Sequence, residues 1–318
     1  MQRQLFISSC LATVALAARP MIAAAAESAY DLVTPTGTIF GTLVTPSAAP
    51  PTPVVLIIAG SGPTDRNGNG PMLNLNIYRK LATALADSGI ASVRYDKRGV
   101  AASVAALSSE SAIRFDTYVD DAVAWIKKLR ADPRFSRVIV VGHSEGSLIG
   151  MIAAQRAHVD AYVSLEGAGF PAATVLAAQL QTNAPGLADK WQPVLDKLSS
   201  GATVPAADVA PELESLFRPS VQPYLISWFK YDPRVEIAKV TGPVVIVQGT
   251  HDIQVAVADG QALAGAAPSA KYVLIDGMTH VLTDDPGTTL AQQASGAYAD
   301  AARPLDATLV TAIVAATR

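Results

Sequence analysis

A mostly parallel, twisted sheet covered by helices on both faces is the α/β fold class this sequence predicts, and three observations carry it. Residues 54–59, 138–141 and 244–247 are unbroken apolar runs rich in Val and Ile, within expected strands at 54–59, 137–141 and 244–248, as in strands buried on both faces of a parallel sheet. Helical periodicity falls between them: Ile77, Leu81 and Leu85 share one face of residues 76–88, and Val119, Ala122, Ile126 and Leu129 share one face of residues 115–130. Third, Gly142-His143-Ser144-Glu145-Gly146 stands between a strand run and a run with helical spacing, Leu148, Ile149, Ile152 and Ala153. Alternating strands and helices imply right-handed crossovers, and such sheets gather their functional residues at the carboxyl ends of the strands.

Taken in order, the chain opens with Arg3, an apolar run over residues 5–18 and alanines at 23–26. That is the order of a secretory signal peptide with cleavage near Ala25 or Ala26. Its apolar run is short for a membrane span. The only cysteine, Cys10, leaves with it. The mature chain, residues 27–318, is therefore expected to be exported to the periplasm or medium, free of disulfides and without stable membrane insertion. Residues 30–33 and 38–44 read as short strands around a Pro35-Thr36-Gly37 turn, antiparallel at the start of the sheet. Further strands are expected at 90–94, 161–165 and 272–275, and a closing helix at 305–317. Between residues 165 and 244 no strand signal occurs. Leucines and aromatics at helical spacing, ending with Leu225, Trp228 and Phe229, suggest about four helices there, inserted at about 167–240 as a lid.

Composition limits what this fold can be used for. With 318 residues, 50% hydrophobic and 16% charged, the chain can bury a large core. Its net charge of −3, from 24 basic and 27 acidic residues without blocks of either sign, argues against nucleic acid or anionic membrane as partner. A small molecule is the expected partner, and nothing in the sequence indicates an oligomeric state.

The pentapeptide supplies the chemistry. A Gly-x-Ser-x-Gly between strand and helix forms a tight, strained turn that lifts the serine hydroxyl clear of the sheet, making Ser144 a candidate nucleophile. A serine needs a base, and His280 lies on the loop after the 272–275 strand, at the carboxyl edge and 136 residues beyond the serine, in the order serine, acid, histidine. His143 adjoins Ser144 and points away, His158 lies at the far end of the following helix, and His251 flanks an acid. That acid, Asp252, follows the 244–248 strand; Glu166 follows the 161–165 strand. Both carboxylates stand where one could orient the imidazole and stabilise the imidazolium. Backbone N–H groups must also receive the oxyanion. Glu145 supplies one from the residue after the serine, and the loop Gly60-Ser61-Gly62-Pro63 offers Ser61, with Gly62 behind it, for the other. This loop is no phosphate-binding loop, because no Gly-Lys-Ser/Thr follows. Asp65, Asn67, Asn69 and Gly70 fit the opening of a calcium loop, but Asn76 holds the position that needs a bidentate Glu. No metal and no cofactor is assigned.

Five segments, GSGPTDRNGN (60–69), YDKRG (95–99), GHSEG (142–146), DPRVEIAKVTGPVVIVQGTHDIQV (232–255) and GMTHVL (277–282), together resemble the α/β-hydrolase superfamily, in particular small bacterial carboxylesterases related to its serine aminopeptidase-like branch. The resemblance implies an α/β-hydrolase fold with a helical lid, a triad of Ser144, Asp252 and His280, and an oxyanion hole from the Gly60–Pro63 loop and Glu145. It implies hydrolysis of esters with short to medium acyl chains. An aminopeptidase, with Glu212 or Glu214 receiving a substrate amine, a thioesterase, and a non-catalytic binding module are the alternatives. The sequence departs from the pattern at Ala101 and Ser147, positions that are often glycine in these relatives, and at Glu166, where a small residue is usual. Glu166, Arg66 and Trp228 are the candidate substrate-binding residues.

Overall fold

The computed structural model describes residues 25–318. The expected signal segment, apart from its last two residues, and Cys10 lie outside the described residues. The chain builds an eight-stranded sheet from β1 (Ala26–Ala29), β2 (Gly41–Thr45), β3 (Thr52–Ile58), β4 (Ala91–Tyr95), β5 (Phe135–His143), β6 (Ala161–Leu165), β7 (Val244–Gly249) and β8 (Lys271–Ile275). Spatial order is β1-β2-β4-β3-β5-β6-β7-β8. The first two strands join antiparallel, and all pairs from β4 onward are parallel.

Helices cover both faces because the central strands alternate between two apolar cores. Val54, Leu56 and Ile58 of β3 and Val138 and Val140 of β5 meet α2 (Phe115–Arg130) and α3 (Glu145–Arg156) in one core. Val55, Ile57, Ile139 and Val141 meet α1 (Ile77–Asp87) and α11 (Ala307–Ala316) in the other. A strand buried on both sides needs no polar alternation, which is why these runs stand out in the sequence. Between β6 and β7 lie α4 (Ala172–Asn183), α5 (Ala188–Ser199), α6 (Glu214–Phe217), α7 (Gln222–Trp228) and α8 (Pro233–Ile237), and α9 (Val257–Ala266) and α10 (Leu290–Ser295) follow later. The four expected helices of the insertion correspond to α4–α7.

The amino-terminal strands differ from expectation. Residues 38–44 do not form one strand: Leu32–Thr34 and Gly37–Ile39 close a separate hairpin, and β2 starts afresh at Gly41. Ala26–Ala29, with no strand propensity of its own, occupies the edge of β2. Glu27 of β1 anchors this edge by an ion pair to the buried Arg94 of β4 at 2.8 Å. The short α9 was invisible because Val257–Ala266 is mostly Ala and Gly and carries no apolar stripe.

Leu85 is fully buried between α1 and the sheet. Leu85→Ala should lower unfolding free energy by about 2–5 kcal/mol. Urea unfolding would register this as a lower midpoint at unchanged slope.

Candidate active site

Ser144 owes its position to two close approaches. A Cβ on Gly142 would sit 2.2 Å from the Gly146 carbonyl oxygen, and one on Gly146 would sit 2.3 Å from the Ile58 carbonyl oxygen. No side chain fits at either position, so α3 starts almost in contact with β3 and β5. The chain reverses through Ser144 itself, at φ 55° and ψ −122°, a strained conformation for a non-glycine residue. The Ser144 N–H is tied back to the Leu165 carbonyl of β6 at 2.9 Å. Ser144 stays partly accessible at the amino end of α3, where the first N–H groups, beginning with that of Glu145, lack intrahelical partners.

The loop after β7 presents Asp252, the loop after β8 His280. Their contact is 2.7 Å, His280 Nδ1–H donating to Asp252 Oδ2. Asp252 Oδ1 accepts the N–H groups of Gln254 at 2.7 Å and Val255 at 2.9 Å. Burial works to raise the Asp252 carboxyl, but His280 and these N–H groups outweigh it and hold the group below its ordinary range. With Nδ1–H fixed on Asp252, the basic lone pair of His280 is on Nε2.

His143 ties the two halves of the site together. Gly60 N–H donates to the Tyr78 hydroxyl at 3.0 Å, and that hydroxyl donates to His143 Nδ1 at 2.8 Å. His143 Nε2–H donates to the His280 carbonyl at 2.9 Å. Each hydrogen has one destination, so the chain of bonds fixes the His143 tautomer and joins the loop after β3 to the loop that carries His280.

Charges beside Ser144 are paired. Lys97 and Glu145, each with a side chain only 2% exposed, form an ion pair at 2.8 Å, and Lys97 Nζ also donates to the Gly60 carbonyl at 2.6 Å. The Tyr224 hydroxyl of α7 donates to the other Glu145 oxygen. The Glu145 side chain thus links the insertion, through Lys97, to the loop after β3, a role nothing in the sequence signalled, since Tyr224 lies 79 residues away. A cavity of about 380 Å³ opens over Ser144, with Ser61, Gly62 and Glu145 at its base. Leu148, Phe170, Leu176, Leu216, Leu225 and Trp228 line it. Trp228 is held by stacking on Phe115, ring centres 6.0 Å apart and planes within 3°.

Of the expected substrate-binding residues, Trp228 lines this cavity and the other two do not. Arg66 turns away to pair with Asp96 at 2.7 Å, and its own N–H donates to the same carboxylate at 2.7 Å. It holds the loop after β3 from behind. Glu166 is wholly buried, accepting the Gly249 N–H at 2.9 Å and the Gln248 amide at 2.6 Å. It lies under Asp252 and not in the cavity, because its backbone turns at φ 48° directly after β6. His251 donates from Nδ1 to the Asp285 carbonyl at 2.6 Å and supports the Asp252 loop.

A mostly parallel eight-stranded sheet with a serine on a strand-to-helix elbow defines an α/β-hydrolase fold. The profile of the family described as "Serine aminopeptidase, S33" matches residues 70–287, over half of the chain, and the protein belongs to that family. It is similar to the esterase EstD of Thermotoga maritima, 27% identical over 255 residues that make up 78% of this chain. The match spans 58% of the length of that relative. Among solved structures it is similar to Est1E of Butyrivibrio proteoclasticus, TM-score 0.56 at 18% identity over 84% of this chain and 95% of that one. An esterase of Pyrococcus furiosus superposes with TM-score 0.55 at 15% identity, over 81% of this chain and 83% of that one.

Burial, and after it the neighbouring His280, push the His143 imidazole down from 6.5 to about 3. The folded chain therefore binds fewer protons there than the unfolded chain. The stability contributed by neutral His143 is complete above 6.5 and is lost as pH falls towards 3, at about 1.4 kcal/mol per pH unit. Urea unfolding measured across this window should give a slope shallower by about one proton for His143→Asn. Equal slopes would contradict the burial of a neutral imidazole.

Proposed function

We propose that this protein is a carboxylesterase-type serine hydrolase acting through Ser144, His280 and Asp252. The observation that carries the reading is the His280–Asp252 pair at 2.7 Å, its imidazole 4.8 Å from the ring of His143, which directly precedes an elbow serine that opens into a largely apolar cavity. Ser144 Oγ attacks the ester carbonyl and its proton passes to His280 Nε2. The tetrahedral oxyanion is received by the Glu145 and Ser61 N–H groups, which are fixed before the charge develops. Collapse expels the alcohol with the proton returned from His280, leaving an acyl-serine. Water then attacks this ester, giving its proton to His280, and the acid leaves as Ser144 is regenerated. The chemistry calls for no cofactor.

The cavity favours an uncharged acyl group of short to medium length, with residues 167–240 acting as its lid. Its charged lining groups are already engaged: Glu145 by Lys97 and Tyr224, Arg218 by Glu110. That speaks against the aminopeptidase reading, which needs a free carboxylate for the substrate amine. Glu212 pairs with Lys190 on the surface, and neither it nor Glu214 is among the described residues lining the cavity. The thioesterase remains the second reading on the same machinery. Similarity to EstD and Est1E supports the ester reading. Export through residues 1–26 is part of this proposal, and mass spectrometry of the secreted protein should find its amino terminus near residue 26.

Ser144→Ala should lower turnover by about four to six orders of magnitude with the fold retained. Asp252→Asn should lower it by about four. A panel of p-nitrophenyl esters from acetate to palmitate, with aminoacyl anilides beside it, should give its highest rates on the shorter esters. Preferential cleavage of the anilides would reject the esterase reading.

A further inference from the structure

We propose that Glu166 is a neutral carboxylic acid that donates a hydrogen bond to Asp252, so that two carboxyl groups share one proton behind His280 and Glu166 serves as a positioning residue. The proposal rests on Asp252 being the acid of the triad. Three features lead to it. Glu166 is fully buried at the end of a central strand, in a left-handed backbone conformation that disfavours any residue with a side chain. Its carboxyl lies against the loop that carries Asp252, accepting the Gly249 N–H and the Gln248 amide, and interacts with the Asp252 carboxyl. And the donors around the pair are unequally shared.

Two carboxylates in contact cannot both stay ionised away from water, and the one with better donors keeps the charge. Asp252 has three N–H donors, one of them on His280. Glu166 has the Gly249 N–H and the Gln248 amide, both uncharged. That amide cannot turn round to accept instead, because its N–H also holds the Val255 carbonyl at 3.0 Å. Among the described residues no cation stands beside Glu166: Asp259 of α9, Tyr272 of β8 and Tyr298 beyond α10 lie about the pair, with His280 on Asp252 and neutral His143 beyond it. Burial, with Asp252 adding to it, pushes the Glu166 carboxyl well above its ordinary range.

The arrangement has a use. An ionised carboxylate offers about four acceptor positions. His280, Gln254 and Val255 fill three of those on Asp252, and Glu166 fills another, which fixes the carboxylate plane that orients His280. By drawing charge from Asp252 the acid also weakens its hold on the imidazolium.

Infrared difference spectroscopy of the native protein against Glu166→Gln at neutral pH, with pH profiles of kcat/KM for Glu166→Gln and Glu166→Ala, tests this. The native protein should have a carboxylic-acid carbonyl band that Glu166→Gln lacks. Glu166→Gln, which keeps a donor towards Asp252, should hold kcat within about tenfold and leave the acid limb in place, whereas Glu166→Ala should lose about tenfold more in kcat at nearly constant KM and move the acid limb to higher pH. A carboxylate band in place of the acid band, an acid limb moved to lower pH in Glu166→Gln, or native kcat in Glu166→Ala each overturns the proposal. If Glu166→Ala does not fold, the infrared band and the Glu166→Gln profile decide. The band needs no hydrolysis, so this proposal fails separately from the triad, which Ser144→Ala tests.

Discussion

The near-contact between α3 and the two strands beneath it is the constraint on which the rest of this structure depends. Ser144 can stand above the sheet only because Gly142 and Gly146 carry no Cβ and the chain between them accepts a strained turn. That strain needs rigid surroundings to persist. They are provided by a core in which β3 and β5 are buried on both faces and by a tie from the Ser144 N–H to β6. Once α3 is pressed this close, its first residues and the loop after β3 face one another, and the polar groups there must find partners at short range.

They do so in pairs and chains. Lys97 is matched by Glu145, Arg98 by Asp121, and Arg66 by Asp96. Each pair removes charge from water, so its contribution to stability is small against the loss that follows if one member is removed. What these pairs give the fold is registration. Lys97 holds the Gly60 carbonyl, Arg66 and Asp96 hold the following residues, and the Tyr78–His143 chain holds the Gly60 N–H. The loop after β3 is thus held at both the N–H and the carbonyl of Gly60 and again at Arg66.

Features with a periodic or local cause were legible in the sequence. Doubly buried strands are continuous apolar runs, the elbow is a pentapeptide, and Asp252 and His280 each follow a strand at the carboxyl edge. The helices α4–α7 could be read from Leu176, Trp191, Phe217 and Trp228. Features decided by distant partners could not be read. Nothing in Ala26–Ala29 marks a strand, because the open edge of β2 makes it one. Arg66 and Glu166 looked like polar residues near a site, and only the fold reveals that one reaches back to Asp96 and the other lies beneath Asp252. Tyr224 gave no sign at all of its bond to Glu145.

That last bond has a consequence for how the insertion and the sheet change together over time. A hydroxyl from α7 completes the set of donors around a carboxylate that also receives a lysine under the loop after β3. The helices over the cavity are therefore not an interchangeable cap. Transplanting the insertion of a relative without an equivalent hydroxyl would leave an acceptor of Glu145 bare in a dry site. Positions 224, 97 and 145 are therefore physically coupled: a change at any one of them alters the partners of the same buried carboxylate.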